Sequence, residues 1–473
     1  MLFLALPAAA KRGVKATIDL LASLSAPTFL CYNPMDNKIY CSMTGMGDEG
    51  VAVIDANLET YLTKVNTDSM APGELLYAQA PGRVFVHDNA TTLWAINGSS
   101  NAIDTMVMAG QGEAELAYNH LHNKIYCADG FLQGLSIFNS NTMALLGNIP
   151  EIQGNLLFVE PAQRLYGVSP ALSQIKVVDG ASDAVVDSIM DVPVMAASLM
   201  EYNPFNQKLY ASVPGQEDVF IINTVTNTVD TVIQIGITIT GLAYCPLNNS
   251  VYVTTAGIAK GGRQKSPSPL YELAWDNAVN VYGIDDAMQD IVYNPADSLL
   301  YLLCTETPSR MMWLFDPAQQ AVVEGVELMG SGAYRDLAVD NQGEVYTCDL
   351  WQGMVYVVGR VPNTMWRSLN LSGIWMMGTD WEICTDGSGT NWMPNPDQML
   401  YPAAADSTIL IQAGHTMMID SLVEVDELTV NGVLQHFSSV LAVNDGPGVD
   451  ITVNGVFNQQ TLTAYEQMPG SQW

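Results

Sequence analysis

The chain has 473 residues, enough for two or more domains, and its 48% hydrophobic against 14% charged residues excludes a disordered protein. With 49 Asp and Glu against 17 Lys and Arg, the net charge of −32 repels a polyanion from the average surface and excludes nucleic-acid binding as the main task. The seven cysteines form no CxxC pair and sit in or near strand-like runs, which reads as small buried apolar side chains rather than metal ligands or a disulfide framework.

The first ten residues, MLFLALPAAA, precede Lys11 and Arg12 and resemble the back half of a secretory signal peptide without its basic start; a buried first strand is the alternative. Residues 1–27 are accordingly assigned to a truncated signal peptide and, within TIDLLASLS at 16–24, to a strand that closes the fold that follows. No run approaches the ~18 apolar residues that span a bilayer.

From residue 28 a hairpin is spelled repeatedly: YNPMDNKIYCSM at Tyr32, YNHLHNKIYCAD at Tyr118, YNPFNQKLYASV at Tyr202 and YNPADSLLYLLC at Tyr293. Its second aromatic recurs as Tyr40, Phe85, Tyr126, Tyr166, Tyr210, Tyr252, Tyr301 and Tyr346, at spacings of 45, 41, 40, 44, 42, 49 and 45. Eight residues earlier stand Tyr32, Tyr77, Tyr118, Phe158, Tyr202, Tyr244, Tyr293 and, as the exception, Ala338. Two before those come Leu30, Leu75, Leu116, Leu156, Met200, Leu242, Ile291 and Asp336. Large apolar residues at period two mark strands with a buried face. A second hairpin follows each first one, its turn opened by Asp55, Asn97, Asn139, Asp179, Asn223 or Asp316, with Ala274 and Gly359 departing. Asx side chains suit that place because they bond the backbone two residues on.

Four antiparallel strands in about 44 residues is the period of a propeller blade, and one blade cannot bury both faces until a ring of them closes. The units, VFIINTVTNTVDTVI from Val219 most fully, resemble the YVTN family of β-propeller repeats over residues 28–370. That resemblance implies seven blades, whereas eight units are present. The expected class is all-β, a seven- or eight-bladed β-propeller of four-stranded antiparallel blades.

A Trp/Gly-rich linker, 371–402, carries Trp375, Trp381 and Trp392. Beyond it, LTVNGVL at Leu428 and ITVNGVF at Ile451 lie 23 residues apart, the spacing of one coil of a parallel β-solenoid with Asn-Gly at the corners. Residues 403–473 resemble the opening coils of β-helical regions in large secreted bacterial surface proteins, and they read as an incomplete β-solenoid-like segment.

Chemistry is sparse. His120 and His122 replace part of a solvated turn, His415 sits in the solenoid pattern, and DGSGTN at Asp386 lacks the trailing Glu of a calcium loop. No nucleophile elbow, phosphate loop or metalloprotease motif occurs. No catalytic, metal or cofactor residue is therefore assigned.

Two features stand out as candidate binding elements. The second-to-third-strand connection of the sixth unit, TTAGIAKGGRQKSPSP, gathers Lys260, Arg263 and Lys265 in a Gly-rich loop suited to an anionic partner. Three residues before the first-strand aromatic come Phe29, Glu74, Glu115, Asn155, Leu199, Gly241, Asp290 and Arg335, expected to ring one mouth of the channel. The resulting expectation is a secreted or cell-surface scaffold that presents this face to a protein or glycan partner. The alternative is a propeller enzyme of the lactonase or lyase kind acting at the channel mouth, and the oligomeric state is left open.

Overall fold

The computed structural model describes residues 12–20, 25–45, 49–67, 71–88, 90–110, 114–129, 134–190, 192–196, 198–213, 217–256, 259–260, 264–265, 268–284, 286–304, 310–328, 330, 332–360, 365–384, 392–395, 402, 408–419, 423–425, 428–436, 441–443, 451–459 and 466–467. The chain divides into two compact units, one of Gly13–Gly359 and one of Met1–Arg12 with Arg360–Trp473. The leader-like run at 1–10 lies outside the described residues.

The larger unit is an eight-bladed β-propeller. Eight four-stranded antiparallel sheets follow one another, and their inner strands neighbour each other in sequence order until that of the eighth blade, Tyr334–Val339, meets that of the first, Ser25–Asn33. The fourth strand of the eighth blade is supplied by the N-terminal strand Arg12–Asp19, which pairs beside Met354–Arg360. This is why Gly359 departs from the Asx rule: the third strand of that blade has no hairpin to turn into. Helix in the described residues is limited to single turns at Pro170–Leu172 and Gly378–Asp380.

The repeated residues hold blade to blade. The recurrent Tyr40, Tyr126, Tyr166, Tyr210, Tyr252, Tyr301 and Tyr346, with Phe85, are fully buried. Several Tyr hydroxyls reach the next blade, as when Tyr40 donates to the Gly98 carbonyl at 3.0 Å and Tyr166 to the Thr224 carbonyl at 3.3 Å. The Asn of the first turn does two jobs. Asn203 Oδ1 accepts the Phe205 and Asn206 amides, which closes the turn, while its Nδ2 donates to the Asn249 carbonyl of the sixth blade at 2.8 Å. Asn119 and Asn294 repeat this with Gly180 and Gly343.

The scarce cations are spent likewise. Lys38 caps Gly98, Ser99 and Asn101, Lys124 caps Gly180, Ala181 and Asp183, and Arg83 caps Ser140 and Asn141, in each case in the following blade. A closed ring of apolar sheets leaves the carbonyls of its outer turns without strand partners, and these side chains supply the donors.

In the smaller unit, Thr408–Ile411, Leu428–Val430 and Ile451–Val453 stack in one parallel sheet. Thr416–Ile419, Val433–His436 and Val456–Gln459 stack in a second, and Val423–Val425, Leu441–Val443 and Glu466–Gln467 in a third. The two ITVNG-like runs are in register, Leu428 against Ile451. Gly is required at their corners, since a Cβ on Gly455 would meet the Gly432 carbonyl at 2.0 Å and one on Gly432 the Gln412 and His415 carbonyls at 2.3 Å. One end of the first sheet continues through Met365–Ser368 into the antiparallel strand Trp381–Cys384. There Trp375 and Trp381 pack at 5.0 Å and 71°, both fully buried, and Trp366 completes the cluster. The Trp-rich segment thus covers the apolar end of the parallel stack.

Candidate functional site at the channel mouth

The channel-facing residues are placed by a recurring irregularity. In the first, second, sixth, seventh and eighth blades the inner strand carries a β-bulge at or beside the position three residues before the first-strand aromatic. A bulge frees a residue from the ladder and re-aims its side chain. Glu74, Glu115 and Asp290 sit at this position, each partly buried, whereas Phe29 is exposed and Asn155 bonds the connections around it through its main chain. Gly241 leaves room for the neighbouring blade: a Cβ there would meet Thr254 Oγ1 at 2.8 Å and Asp290 Oδ1 at 3.3 Å.

In the eighth blade the occupant is Asp336, not Arg335. The first-strand residue opposite the buried aromatic precedes it by nine positions in the other blades, as Leu76 opposite Phe85 or Glu201 opposite Tyr210, but by eight here, where Ala338 faces Tyr346. The hairpin is one residue shorter, so counting back from Tyr346 lands one place early. Arg335 is exposed, and Asp336 adopts φ 50°, a left-handed conformation that Asp tolerates better than most residues. Among the described residues, the inner-strand positions at the mouth therefore carry four carboxylates, with Arg335 one place before the eighth-blade position.

These carboxylates act between blades. Asp336 Oδ2 accepts the Leu30 amide of the first blade at 2.6 Å, and Glu74 Oε2 accepts the Leu116 amide of the third at 2.6 Å. Glu201, one strand step further in, accepts the Tyr244 amide of the sixth at 3.2 Å. The inner strand is an edge strand with unpaired amides, and a carboxylate from the preceding blade satisfies one. Glu201 was not singled out from the sequence, although it is the lone charge in a column otherwise filled by Cys31, Leu76, Ala117, Leu157, Ala243, Val292 and Ala338.

Each carboxyl is partly buried by the surrounding blades. Burial and then the adjacent Glu115 carboxylate raise Glu74 well above the usual carboxylate range. Burial and the nearby Asp336 push Asp290 up to about 8. Burial takes Asp336 to about 6, held back by the amides of Leu30 and Leu337, and takes Glu201 to about 7. The mouth thus combines hydrogen-bond acceptors with carboxyls that hold protons near neutrality.

The basic loop emerges on the same face, because second-to-third-strand connections and blade-to-blade connections share one end of an antiparallel blade. Ala259–Lys260 and Gln264–Lys265 pair as a short antiparallel ribbon, while Arg263 lies outside the described residues. DGSGTN also lies outside them. Among the described residues no group of three or more His, Cys, Asp or Glu is arranged to hold a metal ion. His120 stands on an exposed turn 3.3 Å from Glu160, and His415 Nδ1 bonds Ser368 Oγ at 2.9 Å within the smaller unit.

No family model matches the chain, and no curated protein matches it. Solved structures do. Saccharomyces cerevisiae Sqt1 superposes with a TM-score of 0.59 at 11% identity, over 75% of this chain and 100% of that one. The Neurospora crassa Pan2 WD40 domain gives 0.46 at 10% identity over 71% and 89%, and the Myceliophteria thermophila Cps50 (Swd1) β-propeller domain 0.46 at 10% over 74% and 99%. At such identities the likeness is one of fold: the chain contains a β-propeller, with eight blades.

Proposed function

We propose that the chain is an interaction scaffold, a secreted or cell-surface propeller of the YVTN kind that presents its channel-mouth face to a protein or glycan partner, followed by a β-solenoid stalk. One observation carries this reading. The buried Tyr, Asn and Lys residues and three of the inner-strand carboxylates are committed to blade-to-blade bonds, so the ring is a rigid frame, while the connections of the mouth face differ from blade to blade. Specificity varies most freely on loops held by such a frame. The ribbon of the sixth blade, with Lys260 and Lys265, is the longest departure from the repeat on that face. The parallel sheets with Asn-Gly corners support the stalk, and the leader-like start supports secretion.

The test is replacement of Lys260, Arg263 and Lys265 together by Ala, followed by titration with a ligand taken from a glycan and protein screen. Weaker binding with a flatter salt dependence and an unchanged melting temperature is expected. Unchanged affinity and salt response would remove the loop from the site.

A second reading, acid–base catalysis of the lactonase or lyase kind, is favoured by one observation. Asp290 and Asp336 lie close enough for Asp336 to raise Asp290, and burial raises both carboxyls above the usual range, so the pair can hold a proton near neutral pH.

A further inference from the structure

The face opposite the channel mouth is built from the first-to-second and third-to-fourth turns, and its turn tips are apolar where solvation calls for polar residues. The tip residue of the first turn is Met35, Leu121, Phe205 or Leu247 in four blades, each exposed. None of these side chains belongs to a buried cluster of the ring. The third-to-fourth turns usually place a small residue after the Asx, such as Gly98 or Gly180, but the sixth blade places Trp275 there.

Phe205 and Trp275 meet across the fifth and sixth blades, edge to face, with ring centroids 5.8 Å apart at 77°, yet they remain 56% and 52% exposed. Their backbones are fixed: Asn203 Oδ1 holds the Phe205 amide, and Asn206 Nδ2 donates to the Trp275 carbonyl at 3.2 Å. Two residues beyond Phe205, Gln207 lines a mainly polar groove of about 430 Å³ between the fourth and fifth blades, with Pro161, Arg164, Tyr202, Thr224 and Asn227. The aromatic pair forms a pre-organised strip, and rigid exposed aromatics are the composition of interface hot spots.

Charge selects the occupant. Four cations of this face are occupied: Lys38 and Lys124 cap turn carbonyls, Arg164 in the groove is bonded to Asp179, and Lys208 lies 3.3 Å from Asp230. Glu160 and Asp276 stand exposed beside the strip, on a chain of net charge −32. A phosphate-bearing surface is repelled there, whereas a cation is drawn to both the carboxylates and the aromatic faces.

We propose that this strip is a second docking surface, distinct from the mouth face, for a protein segment that sets Lys or Arg beside a large apolar side chain. The apolar side chain packs on Phe205, and the cation lies against Trp275 and the exposed carboxylates.

The test is fluorescence anisotropy of the full chain with a labelled peptide of alternating Leu and Lys, compared with Ser–Lys and Leu–Glu peptides of equal length. The Leu–Lys peptide should bind at least about tenfold more tightly than either, and F205S with W275S should remove about tenfold of that affinity. Lys260→Ala with Lys265→Ala should leave it intact, which separates this surface from the mouth face. Equal binding of the Ser–Lys peptide, no binding at all, or full affinity in a double variant that melts like the parent would overturn the proposal. Should the double variant not fold, hydroxyl-radical footprinting of the parent decides: the Leu–Lys peptide must protect Phe205 and Trp275. Self-association that Trp275→Ser disperses, or binding to phosphatidylcholine vesicles, identifies another occupant and equally overturns it.

Discussion

Asp336 of the eighth blade accepts the backbone amide of Leu30 of the first at 2.6 Å, and so bonds the two ends of the ring where they meet. Asp336→Ala leaves that amide without a partner and places Ala in a left-handed conformation. A loss of roughly 2 to 3 kcal/mol is expected from the unsatisfied donor and the strain together. Asp336→Asn retains an acceptor and tolerates the backbone, so its melting curve at pH 5 should stay close to the parent's. A tolerated Ala would show that the bond contributes nothing.

The carboxyls of the mouth give stability an unusual pH dependence. Asp336, Glu201 and Asp290 have folded values raised to about 6, about 7 and about 8, so between about pH 4 and 8 the folded chain binds more protons than the unfolded one. Their contribution is fully present below the unfolded carboxylate range and is lost as pH rises through the raised values. The self-repulsion of a chain with net charge −32 acts in the same direction. Melting should therefore occur at a higher temperature at pH 5 than at pH 8, and Asp290→Asn should raise the melting temperature at pH 8 while changing it little at pH 5. A chain that grows more stable toward pH 8 would contradict the raised values.

Tyr210 is fully buried between the fifth and sixth blades, its hydroxyl accepting from Asn206 Nδ2 at 3.1 Å. Tyr210→Ala should cost about 3 to 5 kcal/mol by chemical denaturation, the range for deleting a buried aromatic ring. Tyr210→Phe removes only the hydroxyl, and about 1 kcal/mol is expected. Equal losses would mean that the hydroxyl, not the ring, is the stabilising part.

Ring closure depends on Arg12–Asp19, whose Lys15 bonds Glu59 of the first blade at 2.5 Å and Glu344 of the eighth at 2.9 Å. Lys15→Ala should cost no more than about 1 kcal/mol, since Lys15 keeps a third of its side chain in solvent. Removing residues 1–20 should do far more: it exposes Met354–Arg360 as an edge, and amide exchange there should accelerate relative to Val345–Asp349. Uniform protection of both strands in the truncated chain would show that the N-terminal strand is dispensable.

The repeat was legible because packing fixes it. A ring that fills the space between blades recurs at each Tyr40-like position, and an Asx that starts a turn recurs wherever a hairpin follows. The blade number was not legible, because closure depends on where the N-terminal strand pairs rather than on how many units are spelled. Arg335 was read into the mouth because register was counted along the chain, and a hairpin one residue short shifts that count without leaving a mark at Arg335 itself. The exception at Ala338 was that mark. Carboxylates that accept amides from the next blade look in sequence like a hydrated polar rim, since the donors are backbone and carry no sequence signature. Glu201, alone among apolar column-mates, was the one legible sign of their role.

The scaffold reading and the enzymatic one part at a single pair of residues. Purified chain should be assayed for hydrolysis of a panel of lactones alongside glycan and protein binding, with Asp290→Asn and the Lys260, Arg263, Lys265 triple Ala variant in parallel. The scaffold account predicts no turnover above buffer and binding that the triple variant weakens but Asp290→Asn leaves unchanged. Lactone turnover abolished by Asp290→Asn, in a variant that melts at or above the parent, would contradict it.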